Sequence, residues 1–238
     1  MTLVGGAAAP SRRRWLVAVL LGSLLWAVAI GVSFVLPQVL LGLRPGGGAY
    51  YAVVALLQLS LAAAAIQLAR RAGTLGWSEL GITRAAWRAD ALIGLAVAAG
   101  FALLQFGLII PLTGGAERSD VATNLAQLRS GPHAAAGMFA LGVLGALAEE
   151  LLFRGLLLHG IAAALGGARA ARATAVCIVV VLFGAVHGYQ GWAGMVDTAL
   201  YGGLTLSLLC LWRGGRIAAA VAAHAGWNAI AVGCLLLL

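Results

Sequence analysis

Apolar residues in this chain come in long uninterrupted runs, separated by short stretches that carry nearly all of the charge. Seven runs are long enough to count as spans: Trp15–Leu36, Tyr50–Leu68, Ala91–Pro111, Ala134–Leu158, Ala173–Tyr189, Met195–Trp212 and Ile217–Leu238. A hydrocarbon layer ~30 Å thick takes ~20 helical residues to cross. Within lipid, each segment must satisfy its own backbone polar groups, so helices are the expected form. The pattern therefore predicts an all-α, polytopic transmembrane bundle of about seven spans.

Composition supports the same class. Of the 238 residues, 63% are hydrophobic and 9% are charged, whereas a soluble domain carries about 25% charged residues. The formal net charge of +8 would suggest nucleic acid in a soluble protein. Here the basic residues, all arginine, lie between the apolar runs and read as topology signals, so no nucleic-acid partner is expected. Arg12, Arg13, Arg14, Arg70, Arg71, Arg84, Arg88, Arg169, Arg172, Arg213 and Arg216 fall on one side. Arg44, Arg118 and Arg129 fall on the other, and Arg154 lies inside a span. The positive-inside rule then puts the N-terminus in the cytoplasm and the C-terminus outside, in what we expect to be a bacterial plasma membrane. Arg12 to Arg14 followed by an apolar stretch and Ala27-Val28-Ala29 resembles a cleavable signal, but the run continues through Leu36 and reads as a retained span.

Charged residues inside a span cost ~2.5 to 3.5 kcal/mol each on insertion scales, so their presence argues for function. The fourth span contains Glu149, Glu150 and Arg154. Glu150 and Arg154 are spaced i, i+4 and can pair on one helix face. Glu149 points about 100° away without a local cation, which suits a general base working near neutral pH. Read without catalysis, the same residues would form a buried ion pair that locks helix packing. Gly137, Gly142 and Gly145 on this span would let neighbours approach closely. Span five ends in Phe183-Gly184-Ala185-Val186-His187, and span seven holds His224-Ala225-Gly226-Trp227-Asn228. A lone intramembrane histidine more often bonds a neighbouring helix than catalyses. Polar groups from three spans, however, avoid lipid by facing one another, which predicts an active-site cavity formed by spans four, five and seven. Asp197 reads as a structural or cavity-lining acid. The three cysteines, Cys177, Cys210 and Cys234, lie in separate runs and read as small core residues. Gly76 to Trp87 could rest on the headgroups or simply connect two spans.

Taken together, Glu149-Glu150-x-x-x-Arg154, Phe183-x-x-x-His187 and His224-x-x-x-Asn228 resemble the signature of the CPBP family of intramembrane proteases. That family includes the CAAX prenyl endopeptidases and the bacterial bacteriocin-processing and immunity proteins. The resemblance covers residues 134–238, a protease-like core, and leaves residues 1–133 as a three-span region without a recognised signature. It implies peptide-bond hydrolysis at a water-filled cavity in the bilayer, with Glu149, His187, His224 and Asn228 at the matching positions. Family members with eight spans are known, against seven here. By residue count His187 and His224 also lie at depths differing by up to ~10 Å, a gap that tilt or shifted span ends must close.

On this reading Glu149 and His187 activate water, His224 and Asn228 stabilise the oxyanion, and Glu150 with Arg154 orients the catalytic helix. Glu149, His187 and His224 also form a plausible Zn²⁺ set with one position left for water, though the chain has no H-E-x-x-H, and the metal-free version is preferred. The expected partners are the lipid bilayer and a membrane-associated peptide or protein substrate. The alternatives are a polytopic transporter, which would use the same residues as a proton relay, and a catalytically silent immunity or scaffold protein.

Overall fold

The structure is a computed structural model that describes residues 11–237. Residues 1–10, the start of the N-terminal region, and Leu238, the expected end of span seven, lie outside the described part. It is all-helical, with no strand among the described residues and seven helices long and apolar enough to cross a membrane. These are α1 Arg12–Leu41, α2 Gly48–Ala72, α3 Trp87–Leu112, α5 Ala134–Ala164, α6 Arg169–Val186, α7 Gly188–Trp212 and α8 Ala218–Leu235. A short helix, α4 Ser119–Leu128, lies between α3 and α5.

The seven expected spans are all present, with shifted ends. Helix α1 runs through Pro37 to Leu41 and stops at Gly42, whose left-handed backbone (φ 62°) caps it. Helix α5 reaches Ala164, six residues beyond the expected Leu158, through π-helical turns at Leu151–Leu158. Span six starts at Gly188, so His187 becomes the residue just past the end of α6 rather than a position inside it. Pro132 sits ahead of α5, whose cap is His133.

The outward faces carry large apolar side chains such as Leu20, Leu24, Leu103 and Val181, all strongly exposed. A soluble protein does not leave so much apolar surface in contact with water. The interior seam joins Trp26 of α1 to Phe153 of α5, Phe183 of α6 and Leu206 of α7. The first three spans pack directly on the last four: α1 and α2 lie against α5, and α3 lies against α8. The Trp26 indole donates to the Ala148 carbonyl at 3.0 Å, fixing the backbone immediately before Glu149.

Small residues make this closeness possible. A Cβ at Gly137 would run into the backbone carbonyl of Gly48 on α2, and one at Gly94 would meet the Ala219 carbonyl on α8. Gly100, by contrast, faces open space. Gly137→Ala should therefore lower thermal stability by about 1 to 3 kcal/mol through overpacking. Gly100→Ala should leave it unchanged or slightly higher; thermal unfolding of both variants in detergent checks the contrast.

Candidate active site

Glu149 and Glu150 stand where α5 passes from α-helical into π-helical turns. Such π stretches are rare and recur at functional sites. Neighbouring positions on the helix send the two carboxylates in different directions, and the structure gives them different surroundings. Glu150 and Arg154 are both fully buried and pair at 2.6 Å. Arg154 also reaches the Gly203 carbonyl at 3.4 Å and lies 4.9 Å above the Phe183 ring. The same Glu150 oxygen meets His224 Nδ1 at 2.8 Å, so one carboxylate ties α5 to α8.

Glu149 faces a cavity of about 720 Å³ instead. Its Oε2 atom has no hydrogen-bond partner and lies 3.9 Å from both His187 Nε2 and His224 Nε2. Each imidazole is anchored through its other nitrogen. His187 Nδ1 is 2.8 Å from the Phe183 carbonyl, an acceptor, so this nitrogen is the donor. His224 Nδ1 is held in the same way by the Glu150 carboxylate. Both rings therefore present Nε2 to Glu149, and Phe183 stacks against His187 at 4.8 Å while meeting His224 edge-on at 5.8 Å.

This convergence closes the depth gap expected from residue counts. His187 stands ~27 Å along α6 from its start and His224 only ~9 Å along α8, at 1.5 Å per residue. Residue counts from the two helix starts therefore do not give relative depth, and both rings reach the same oxygen. Tyr201 on the π-helical stretch of α7 donates to the Ala223 carbonyl at 3.0 Å, pinning the backbone just before His224.

Asn228, one turn beyond His224, uses one amide N–H on the Gly142 carbonyl at 2.8 Å and lines the cavity. A carbonyl partner requires the nitrogen there, which fixes the amide's orientation and leaves one N–H unused. Gly142 and Gly145 bring neighbours close, as expected: their Cβ positions would lie 3.2 Å from Asn228 Cβ and 3.4 Å from Gln58 Oε1.

Five predicted side chains, Glu149, His187, His224, Glu150 and Arg154, thus form one connected group, and Asn228 borders it. Several polar residues at the cavity were not singled out from the sequence. Gln58 of α2, Gln105 of α3 and Trp227 of α8 each leave a buried polar atom without a protein partner. The two glutamines were legible by the rule that picked out Glu149, since both interrupt apolar runs.

The second missed element is an ion cluster. Arg118, counted from sequence as a loop charge, is buried and binds Asp120 through two bonds of 3.0 and 2.8 Å and Asp197 at 2.6 Å. The Asp120 hydrogen bond and the Asp197 bond hold its guanidinium above the usual arginine range. Asp197 is therefore both structural and cavity-lining, as expected from sequence. The cluster joins α4 to α7 along one wall of the cavity.

The donor set bears on a metal. Two imidazole Nε2 atoms and a carboxylate are chemically suited to Zn²⁺, and each ring has the anchoring partner a metal ligand needs. The spacing is less suited. Tetrahedral ligands with bonds of ~2.1 Å lie about 3.4 Å apart, against 3.9 Å here. Among the described residues, no group of three His, Cys, Asp or Glu side chains stands close enough to hold a metal ion.

Removing one partner of a buried ion pair strands the other. Arg154→Ala should destabilise the protein by about 3 to 5 kcal/mol, and the double variant Glu150→Gln with Arg154→Met should recover much of the loss. Unfolding midpoints in one detergent test this.

Comparison with known families locates this group. Residues 131–230 match a family model described as Type II CAAX prenyl endopeptidase Rce1-like. All six predicted site residues lie inside that stretch. No curated protein and no solved structure matches the chain.

Proposed function

We propose, from the premise that the chain belongs over residues 131–230 to the CPBP family of CAAX-type intramembrane endopeptidases, that Glu149 and His187 activate a water to cleave a membrane-associated peptide. The observation that carries this reading is the meeting of Glu149 Oε2 with two Nε2 atoms, each at 3.9 Å. A water can sit within ~2.8 Å of all three and hydrogen-bond them together.

The steps follow from which atoms are free. Glu149 Oε2 is not taken up by a hydrogen bond, so the carboxylate accepts the proton as the water oxygen attacks the scissile carbonyl carbon. His187, held by the Phe183 carbonyl, orients that water and relays the proton. Negative charge then develops on the former carbonyl oxygen. The unused Asn228 N–H donates to it, and His224 does so through Nε2 when that nitrogen carries a proton. When the C–N bond breaks, the leaving nitrogen takes the proton that Glu149 accepted. Glu150 and Arg154 touch no substrate. They position His224 and the helix that carries Glu149.

The cavity suits an extended peptide as well as a water. Its lining combines Glu149, His187, His224 and Asn228 with apolar side chains that include Ile30, Phe34, Phe106 and Leu141. A buried polar atom without a partner costs about 1 to 3 kcal/mol. Gln58 and Trp227 are relieved of that cost when water or a peptide backbone bonds to them. The substrate is a membrane-embedded peptide or protein segment, cleaved at the plasma membrane by an enzyme whose N-terminus lies in the cytoplasm.

The test is cleavage of internally quenched, membrane-associated peptides in proteoliposomes, with a peptide bearing a prenylated cysteine near its C-terminus in the panel. Glu149→Gln and His187→Ala should each lower kcat by at least about 10²-fold. Asn228→Ala should lower it by about 10² to 10³-fold. Gln58→Leu should chiefly raise KM, by up to about tenfold. Cellular activity that survives Glu149→Gln would instead indicate a silent scaffold. Metal analysis of the purified enzyme, with activity measured after chelation, separates the water-bridged site from a zinc site.

A further inference from the structure

A second cavity, of about 360 Å³, lies on the arginine-rich side of the protein, away from the Glu149 group. Three segments distant in sequence build it. The connector between α2 and α3 supplies Ser78 and Thr83, α5 and α6 supply His159 and Arg172, and the turn between α7 and α8 supplies Arg216. The walls are preformed by close backbone approach. A Cβ at Gly81 would collide with the Gly215 carbonyl, and Ile217 N–H donates to the Gly81 carbonyl at 3.1 Å. A Cβ at Gly215 would come within 2.9 Å of His159 Nε2, so the imidazole forms part of the lining only because glycine stands there.

The chemistry of this lining has one sign. None of the residues around the cavity is acidic. Arg172 has no carboxylate partner among the described residues, and Arg216 shares the single carboxylate of Asp90 with Arg213. Arg216 commits Nε and one terminal nitrogen to Asp90, leaving the other free. Among the described residues the Ser78 hydroxyl makes no hydrogen bond, and the Thr83 hydroxyl only accepts, from Ala85 N–H. The cavity therefore offers the Arg172 guanidinium, the one terminal nitrogen of Arg216 that Asp90 leaves free, and two hydroxyl donors.

Its depth in the membrane is marked independently. Trp77, Trp87 and Trp212 are exposed around this end, at 39, 52 and 67%. Each lies beneath an arginine guanidinium, Arg70, Arg88 and Arg213 respectively, at 4.7 to 5.4 Å. Exposed Trp with Arg at a span end marks the headgroup level. A basic pocket between transmembrane helices at that level is suited to an anionic headgroup.

We propose that this cavity binds the phosphate of an anionic phospholipid headgroup, held between Arg172 and Arg216 with hydrogen bonds from Ser78 and Thr83. Bound there, the lipid clamps the α2–α3 connector to the α7–α8 turn. The site is separate from the hydrolytic reading and stands or falls without it.

The experiment is native mass spectrometry of the full chain, titrated with phosphatidylglycerol, with phosphatidylcholine and with inorganic phosphate. Wild type should bind phosphatidylglycerol at least about fivefold more tightly than phosphatidylcholine. Arg172→Gln, or Ser78→Ala with Thr83→Val should the first fold poorly, should remove that preference and leave phosphatidylcholine binding unchanged. Inorganic phosphate should compete with phosphatidylglycerol in wild type. Competition by phosphate without any lipid preference would assign the cavity to a soluble phosphate and overturn the headgroup. Equal binding of the two lipids with no competition, or a preference that survives both variants, would overturn the site altogether.

Discussion

One carboxylate oxygen of Glu150 receives both Arg154, at 2.6 Å, and His224, at 2.8 Å. The geometry of the site depends on that double contact. In a low-dielectric interior neither guanidinium nor carboxylate can stand alone, so once α5 and α8 are in place the pair admits few other arrangements. Such an array adds little net stability over an apolar core of the same shape. Its effect is selective: it fixes which face of α5 meets α8, and it makes Nδ1 of His224 the donor so that Nε2 points at Glu149. Trp26 and Tyr201 reinforce the same register by binding backbone carbonyls at Ala148 and Ala223, one residue before each functional side chain.

The cavity departs from the rule that buried polar atoms are paired. Glu149, Gln58, Gln105 and Trp227 all keep an atom there without a partner among the described residues, whereas the ion groups around them spend most of their polar atoms on one another, with Glu150 Oε2 and Arg154 Nε left over away from the cavity lining. That contrast separates two kinds of polarity in the same bundle. Glu150 with Arg154, Arg118 with Asp120 and Asp197, and Asp90 with Arg213 and Arg216 close contacts between helices. On the proposed reading, the unpartnered atoms that line the cavity bond water or substrate, as hydrolysis inside a membrane requires. A reaction that consumes water needs polar walls that have not bonded to each other.

Sequence reasoning found the spans and the helix carrying Glu149 because both follow from local rules, apolar run length and the cost of a charge in lipid. Glu150 pairs with Arg154 as the i, i+4 spacing implied, even though π-helical turns begin between them. Contacts between spans were less legible. The apparent depth mismatch between His187 and His224 came from counting residues along separate spans, and only the fold shows both Nε2 atoms 3.9 Å from one Glu149 oxygen. Arg118 was counted among loop charges because its partners lie two and 79 positions away, in segments whose proximity only the fold creates. Gln58 and Gln105 were visible as polar interruptions but were passed over, since an uncharged amide costs less in lipid than a carboxylate.

The boundary of the family match then acquires a physical meaning. On the proposed reading, every group at the reacting atoms lies within residues 131–230, whereas Trp26, Ile30, Phe34, Gln58, Phe101 and Gln105, from the first three spans, supply much of the remaining wall. Catalytic groups must hold their mutual distances to a few tenths of an ångström, which ties α5, α6 and α8 to one another. Walls that contact only the rest of a substrate are free of that constraint. They can change in shape while the hydrolytic geometry stays put. On the proposed reading, α1 to α3 therefore set which membrane segment enters, and the last four spans cut it.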